Sequence, residues 1–179
     1  YEASATAQYG HISDWRVGQV TNMYESFKDR SSFNEDLSKW DTGAVTDMGQ
    51  MFYYALAFNQ PLNGWDTAKV TNMAQMFNIA SAFNQAIGGW DTGNVLDMTN
   101  MFRSTAFNQS IGDWNTAKVT NMGAMFMSAH AFKQPLNDWD TAKVTNMAHM
   151  FYLATAFNQP LGGWDTANVT GMHAMFDGA

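Results

Sequence analysis

The stretch WDTAKVTNM stands at residues 65–73 and again, unchanged, at 139–147; with Asn for Asp it returns at 114–122. Catalysis needs unlike groups converging on one point. A chain that rewrites the same nine residues is organised for something else. Outward from this stretch, Trp15, Trp40, Trp65, Trp90, Trp114, Trp139 and Trp164 lie 25 residues apart, with a single gap of 24. A fixed period in this range marks stacked repeats. From each Trp the unit reads W-D-T-x-x-V-T-N/D-M-x-x-M-F-x-x-A-x-x-F-N-Q-x-L/I-x-x. The short gap is a deletion between Phe102 and Phe107. It spares every anchor position, as expected of a loop.

In the unit from Trp65, Met73, Met76, Phe77 and Ala80 fall at i, i+3, i+4 and i+7, the spacing of one helical face. This predicts a short helix with Thr71 as its N-cap. Asp66 and Thr67, just before, can close a turn on backbone N–H groups. Phe83 and Ile87 share one side of an extended segment, so residues 83–87 read as a short strand. Gly88-Gly89 then turns the chain into Trp90. So short a helix is marginal alone. Stacking would lay Met on Met, Phe on Phe and Trp on Trp in one continuous core. The expectation is an α/β solenoid whose coils each hold one short helix and one short parallel strand. At about 4.8 Å per coil the stack would be a rod roughly 30–35 Å long. Asn59, Asn84, Asn108 and Asn158, beside Gln60, Gln85, Gln109 and Gln159, would form amide ladders, each amide offering a donor and an acceptor.

The chain of 179 residues reads as one solenoid domain: a partial N-terminal coil at 1–14, a divergent, charged, cap-like coil at 15–39, five regular repeats at 40–163, and a truncated last repeat at 164–179. Its net charge is −7, with only nine Lys and Arg. That excludes the clustered cations needed to neutralise nucleic-acid phosphates, and a polybasic membrane anchor. There are no cysteines, hence no disulfide or thiolate metal site. No apolar run is long enough for a transmembrane segment. His11, His130, His149 and His173 occupy unrelated repeat positions without metal-ligand spacing. The row Asp41, Asp66, Asp91, Asp140, Asp165 is interrupted by Asn115, and it reads as turn capping rather than calcium binding. No phosphate loop or nucleophile elbow occurs. The methionine stripe reads as core. No catalytic, cofactor or metal residue is therefore assigned, and the expected function is non-enzymatic.

The segment WDTGAVTDMGQMFYYALAFNQPLNGW (40–65) carries the repeat almost entire. It resembles the BspA-like leucine-rich-repeat surface proteins, in the branch common among bacterial surface lipoproteins. The likeness covers residues 12–179. It implies a leucine-rich-repeat-like, right-handed stack, extracellular or cell-surface display, and adhesion or protein contact, with no shared catalytic residues. The first unit departs from the pattern, with Arg16 and Val17 for Asp-Thr and Ser26 for the second Met.

Variation between coils is greatest just after Met-Phe. Tyr53, Tyr54, Ile79, Tyr152 and Leu153 stand there and form the expected contact with a protein or repetitive surface ligand. The ends suggest a second mode. The last coil stops at Ala179 before its F-N-Q segment, while GHISDW (10–15) reads as the tail of a coil. The array is therefore expected to be a fragment of a longer one, or to self-associate end to end through Ile12, Trp15, Met172, Met175 and Phe176, a heterologous contact that gives filaments. A third reading is an ice-binding row of hydroxyls at Thr42, Thr67, Thr92, Thr116, Thr141 and Thr166.

Overall fold

The computed structural model describes residues 7–179. Seven coils, beginning at the seven tryptophans and numbered 1 to 7 from Trp15, lie on one another in parallel register. Bridges join Asn22 to Asp47, Asp47 to Asn72, Asn72 to Asp97, Asp97 to Asn121, Asn121 to Asn146 and Asn146 to Gly171. Each is a single bridge, so no sheet forms.

The expected α/β solenoid of helix-plus-strand coils is overturned. Among the described residues, regular structure amounts to helical residues 7–9, a 3-10 helix at Ile12–Asp14, and those isolated bridges. The predicted helix is a run of turns. In coil 3, Met76, Asn78 and Ala80 donate their N–H groups to the carbonyls of Met73, Gln75 and Phe77, at 3.2, 3.1 and 2.9 Å. The alternate N–H groups leave the coil. Those of Met73, Gln75, Phe77 and Ile79 reach Asp97, Thr99, Met101 and Arg103 O in coil 4, at 3.0, 2.7, 3.0 and 2.8 Å. Gln75 (φ 59°) and Ile79 (φ 61°) are left-handed, which no α-helix tolerates. The same two positions are left-handed in coils 1 to 6, from Glu25 and Asp29 to His149 and Leu153.

Two physical reasons decide against the helix. A helix satisfies its N–H groups internally, so a helical run would give its neighbour no backbone bonds, whereas the turn run supplies four per coil beside the one at Thr71 N–H to Thr46 O. The start is also set differently. Asn72 Oδ1 accepts Ala74 N–H at 3.0 Å, closing an Asx turn, while Thr71 Oγ1 donates to Thr46 O rather than capping. The apolar spacing could not reveal this. Met73, Met76, Phe77 and Ala80 are fully buried, as a helix would also have made them.

The predicted strand at 83–87 is likewise absent. Its coil-to-coil link is a side chain: Asn84 N–H bonds to Asn59 Oδ1 at 2.9 Å, and Gln85 Nε2 to Asn59 O at 2.9 Å. The amide ladder runs from Asn34 through Asn59, Asn84 and Asn108 to the N–H of Lys133, which ends it. The one-residue deletion is absorbed by Thr105, whose buried hydroxyl donates to Phe102 O at 2.8 Å.

The core is three aromatic ladders. Phe27, Phe52, Phe77, Phe102, Phe126, Phe151 and Phe176 follow one another at 5.4–5.9 Å between ring centroids. Phe33, Phe58, Phe83, Phe107, Phe132 and Phe157 follow at 5.9–6.2 Å. Within a coil the two rings stack closely, at 3.8 Å for Phe77 and Phe83. Trp90, Trp114, Trp139 and Trp164 form near-parallel steps of 6.4–6.5 Å. Each indole N–H is satisfied from below, as Trp90 Nε1 by Leu62 O at 2.9 Å.

Candidate functional site

Most polar side chains of the repeat are engaged in holding coils together. Thr67 Oγ1 donates to Asp91 O of the next coil at 2.9 Å, and Thr42, Thr92, Thr116 and Thr141 do the same. All five are 1% exposed. The proposed ice-binding hydroxyl row therefore does not face solvent along these coils; Thr166, in coil 7, is exposed. Asp66 Oδ1 accepts Ala68 N–H at 3.0 Å, and Asp41, Asp91, Asp140 and Asp165 close equivalent turns.

No set of three His, Cys, Asp or Glu side chains suited to a metal ion occurs among the described residues. His11 pairs with Glu35 at 3.1 Å, and His149 and His173 meet edge to face at 5.0 Å. A recess beside coil 1, lined by Asp14, Trp15, Arg16, Lys39 and Asp41, mixes both signs of charge. Ser13 also lines it, and its hydroxyl lies 2.7 Å from Nδ1 of the His11 that meets Glu35, a hydroxyl–imidazole pair at the surface. The ionisation shifts belong to open solvent. A hydrogen bond from Lys28 to Glu25 raises the lysine pKa, and the Ser38 backbone N–H lowers that of Asp36. No helix among the described residues is long and apolar enough to cross a membrane.

The expected partner residues share one lateral face, built by the turn runs. Tyr54, Ile79 and Leu153 occupy the second left-handed position of their coils, at φ 57°, 61° and 57°. Tyr53 and Tyr152 precede Tyr54 and Leu153. Tyr54 is 42% and Leu153 37% exposed, whereas Tyr53, Ile79 and Tyr152 are half-buried. Among the described residues, the buried side-chain polar atoms without a partner are Asn78 Oδ1, Arg103 Nε and His149 Nδ1. All three belong to this face. The face also includes Tyr24, 44% exposed, whose hydroxyl bonds to Gln50 Nε2. Reading the repeat position two residues before Met-Met-Phe's second anchor would have pointed to it, because the other coils put Gly, Ala, Thr or His there.

The residues expected at the ends divide. Trp15 (41%), Met172 (45%) and Phe176 (50%) are exposed, but Met175 is buried and Ile12 packs partly buried against the core. Met175 therefore offers no end surface. Ile12 O accepts Trp40 Nε1 at 3.0 Å, the role that Leu37 O plays for Trp65.

Neither a curated protein nor a solved structure matches the chain. A family model does, described as Mycoplasma protein of unknown function, DUF285, over residues 1–106 and again over 81–179. The two matches together span the stacked coils from end to end, and the chain belongs to the DUF285 family.

Proposed function

We propose that the chain is a non-enzymatic binding module of a surface-displayed repeat protein, and that it engages a protein partner through its lateral face. The observation that carries this is the strain at Tyr54, Ile79 and Leu153. The turn run requires a left-handed residue there, which Gly or Asn supplies at least cost. A bulky side chain at such a position costs on the order of 1–3 kcal/mol. Stability alone would not favour Ile at φ 61°. The likeness to BspA-like proteins supports surface display and adhesion.

The test is the triple variant Tyr54→Asn, Ile79→Asn, Leu153→Asn. Its thermal midpoint should hold or rise, because Asn suits the left-handed region. Its binding to immobilised extracellular-matrix proteins should fall about tenfold or more, roughly 1.4 kcal/mol. A variant that is clearly destabilised, with binding intact, would show that these side chains serve the fold and would sink the reading.

A further inference from the structure

Charge is distributed unevenly over the lateral face. Its residues are the four variable positions of M-x-x-M-F-x-x, two between the Met anchors and two after Met-Phe. In coils 2 to 6 these positions hold no Asp or Glu, although the chain has 16 such residues and a net charge of −7. They hold a single Lys or Arg, which is Arg103 of coil 4. Arg103 makes no ion pair; those among the described residues join His11 to Glu35 and Lys28 to Glu25. A half-buried guanidinium on a face without carboxylates favours a negative group brought from outside and disfavours a positive one.

Exposed apolar side chains flank Arg103 symmetrically. Tyr54 in coil 2 and Leu153 in coil 6 occupy the same repeat position, 42% and 37% exposed, two coils to either side of coil 4. All three coils have a neighbour above and below, so this exposure owes nothing to the ends of the stack. The turn-run bonds of 2.7–3.0 Å hold successive coils about 4.8 Å apart. Tyr54 and Leu153 therefore stand about 9.6 Å along the stack from Arg103, and roughly 19 Å from each other. Regular backbones meet that spacing unequally. In a polyproline II helix every third residue returns to one face after about 9.3 Å, so three side chains line up over about 18.6 Å. In a β-strand three residues cover about 10 Å, but the middle side chain points to the opposite face. In an α-helix side chains seven apart share a face at about 10.5 Å, which overshoots the full span by about 2 Å.

We propose that the lateral face binds a proline-rich segment of a protein partner, held in the polyproline II conformation along the stack, with an Asp or Glu on Arg103 and a proline three residues to either side, on Tyr54 and on Leu153. This rests on the reading of the lateral face as the binding surface, and it names what that surface takes. A tyrosine ring and a leucine give flat apolar seats of the kind that pyrrolidine rings fill. The segment is extended before it binds, so little ordering is lost on docking. Its carbonyls carry no internal hydrogen bonds, and the hydroxyls of Tyr54, Ser104 and Ser128 can donate to them.

The probe is the synthetic peptide PPAPDPAPP, capped at both ends, which sets a proline three places to either side of its Asp. Titration calorimetry with the 179-residue chain should show binding, weakened by added salt. PPAPKPAPP should bind at least about tenfold more weakly, and so should GGAGDGAGG, which keeps the charge and loses the polyproline II bias. Arg103→Glu should reverse the preference between the Asp and Lys peptides, an exchange that unfolding cannot produce. Tyr54→Asn with Leu153→Asn should weaken the Asp peptide about tenfold. A chain that ignores the Asp peptide overturns the proposal, and so does binding that is indifferent to Arg103→Glu. If the peptide is ignored while the lateral triple variant still loses matrix-protein binding, the lateral-face reading stands and this one falls. If the triple variant binds both matrix protein and peptide unchanged, both fall.

Discussion

At the residue scale, the ladder positions differ in what their side chains do, although the repeat writes them alike. Asn84 Oδ1 accepts Asn108 N–H at 2.9 Å and Gln109 Nε2 at 3.0 Å. Asn158 carries the same letter in the same place, yet its amide has no partner among the described residues. Lys133 below it supplies no acceptor, and coil 7 ends before this position. Asn84→Ala should therefore cost about 1 kcal/mol, and Asn158→Ala should stay within about 0.5 kcal/mol. Urea unfolding followed by tryptophan fluorescence distinguishes them. Equal losses would mean that the amide acts locally rather than across coils. The existence of the ladder was legible from the recurrence of Asn and Gln. That Asn replaces a backbone carbonyl was not, because a side-chain amide matches either partner equally well.

At the element scale, the turn run has a spectroscopic consequence. Far-UV circular dichroism should lack the helical double minimum, although the i, i+3, i+4, i+7 pattern recurs in coil after coil. A single substitution probes the same point. Gln75 sits at φ 59° and donates its N–H to Thr99 O at 2.7 Å. Gln75→Pro forbids that φ and removes that donor, so it should cost about 3 kcal/mol or more. Gln75→Gly should be neutral or stabilising, since Gly adopts positive φ without strain. In a helix the ordering would differ, for Gly would cost about 1 kcal/mol relative to the best formers. Thermal melts of the two variants decide between these backbones.

At the scale of the whole molecule, stability is a sum over neighbouring coils. Interior coils bond on both faces, and the outer faces do not. Hydrogen exchange should therefore be slow for Gln75, Phe77 and Phe102 N–H, which bond across coils at 2.7–3.0 Å. It should be fast for Met172, Ala174, Phe176 and Gly178. Uniform protection from coil 1 to coil 7 would contradict the nearest-neighbour picture.

The 25-residue period determined that the units stack and which residues lie inside. Burial of Trp, Val, Met and Phe follows from spacing alone, and identical units bury an apolar stripe only against one another. The tertiary structure decided the backbone. Consecutive turns and a helix place Met73, Met76, Phe77 and Ala80 on the same side, so the apolar code is degenerate between them. What separates them is where the alternate N–H groups go. That depends on an acceptor about 25 residues away, which exists only once the next coil is in place. The same reason explains the lateral face. Variation marked Tyr54, Ile79 and Leu153 in the sequence, but their left-handed backbone, which carries the functional reading, is imposed by neighbouring coils.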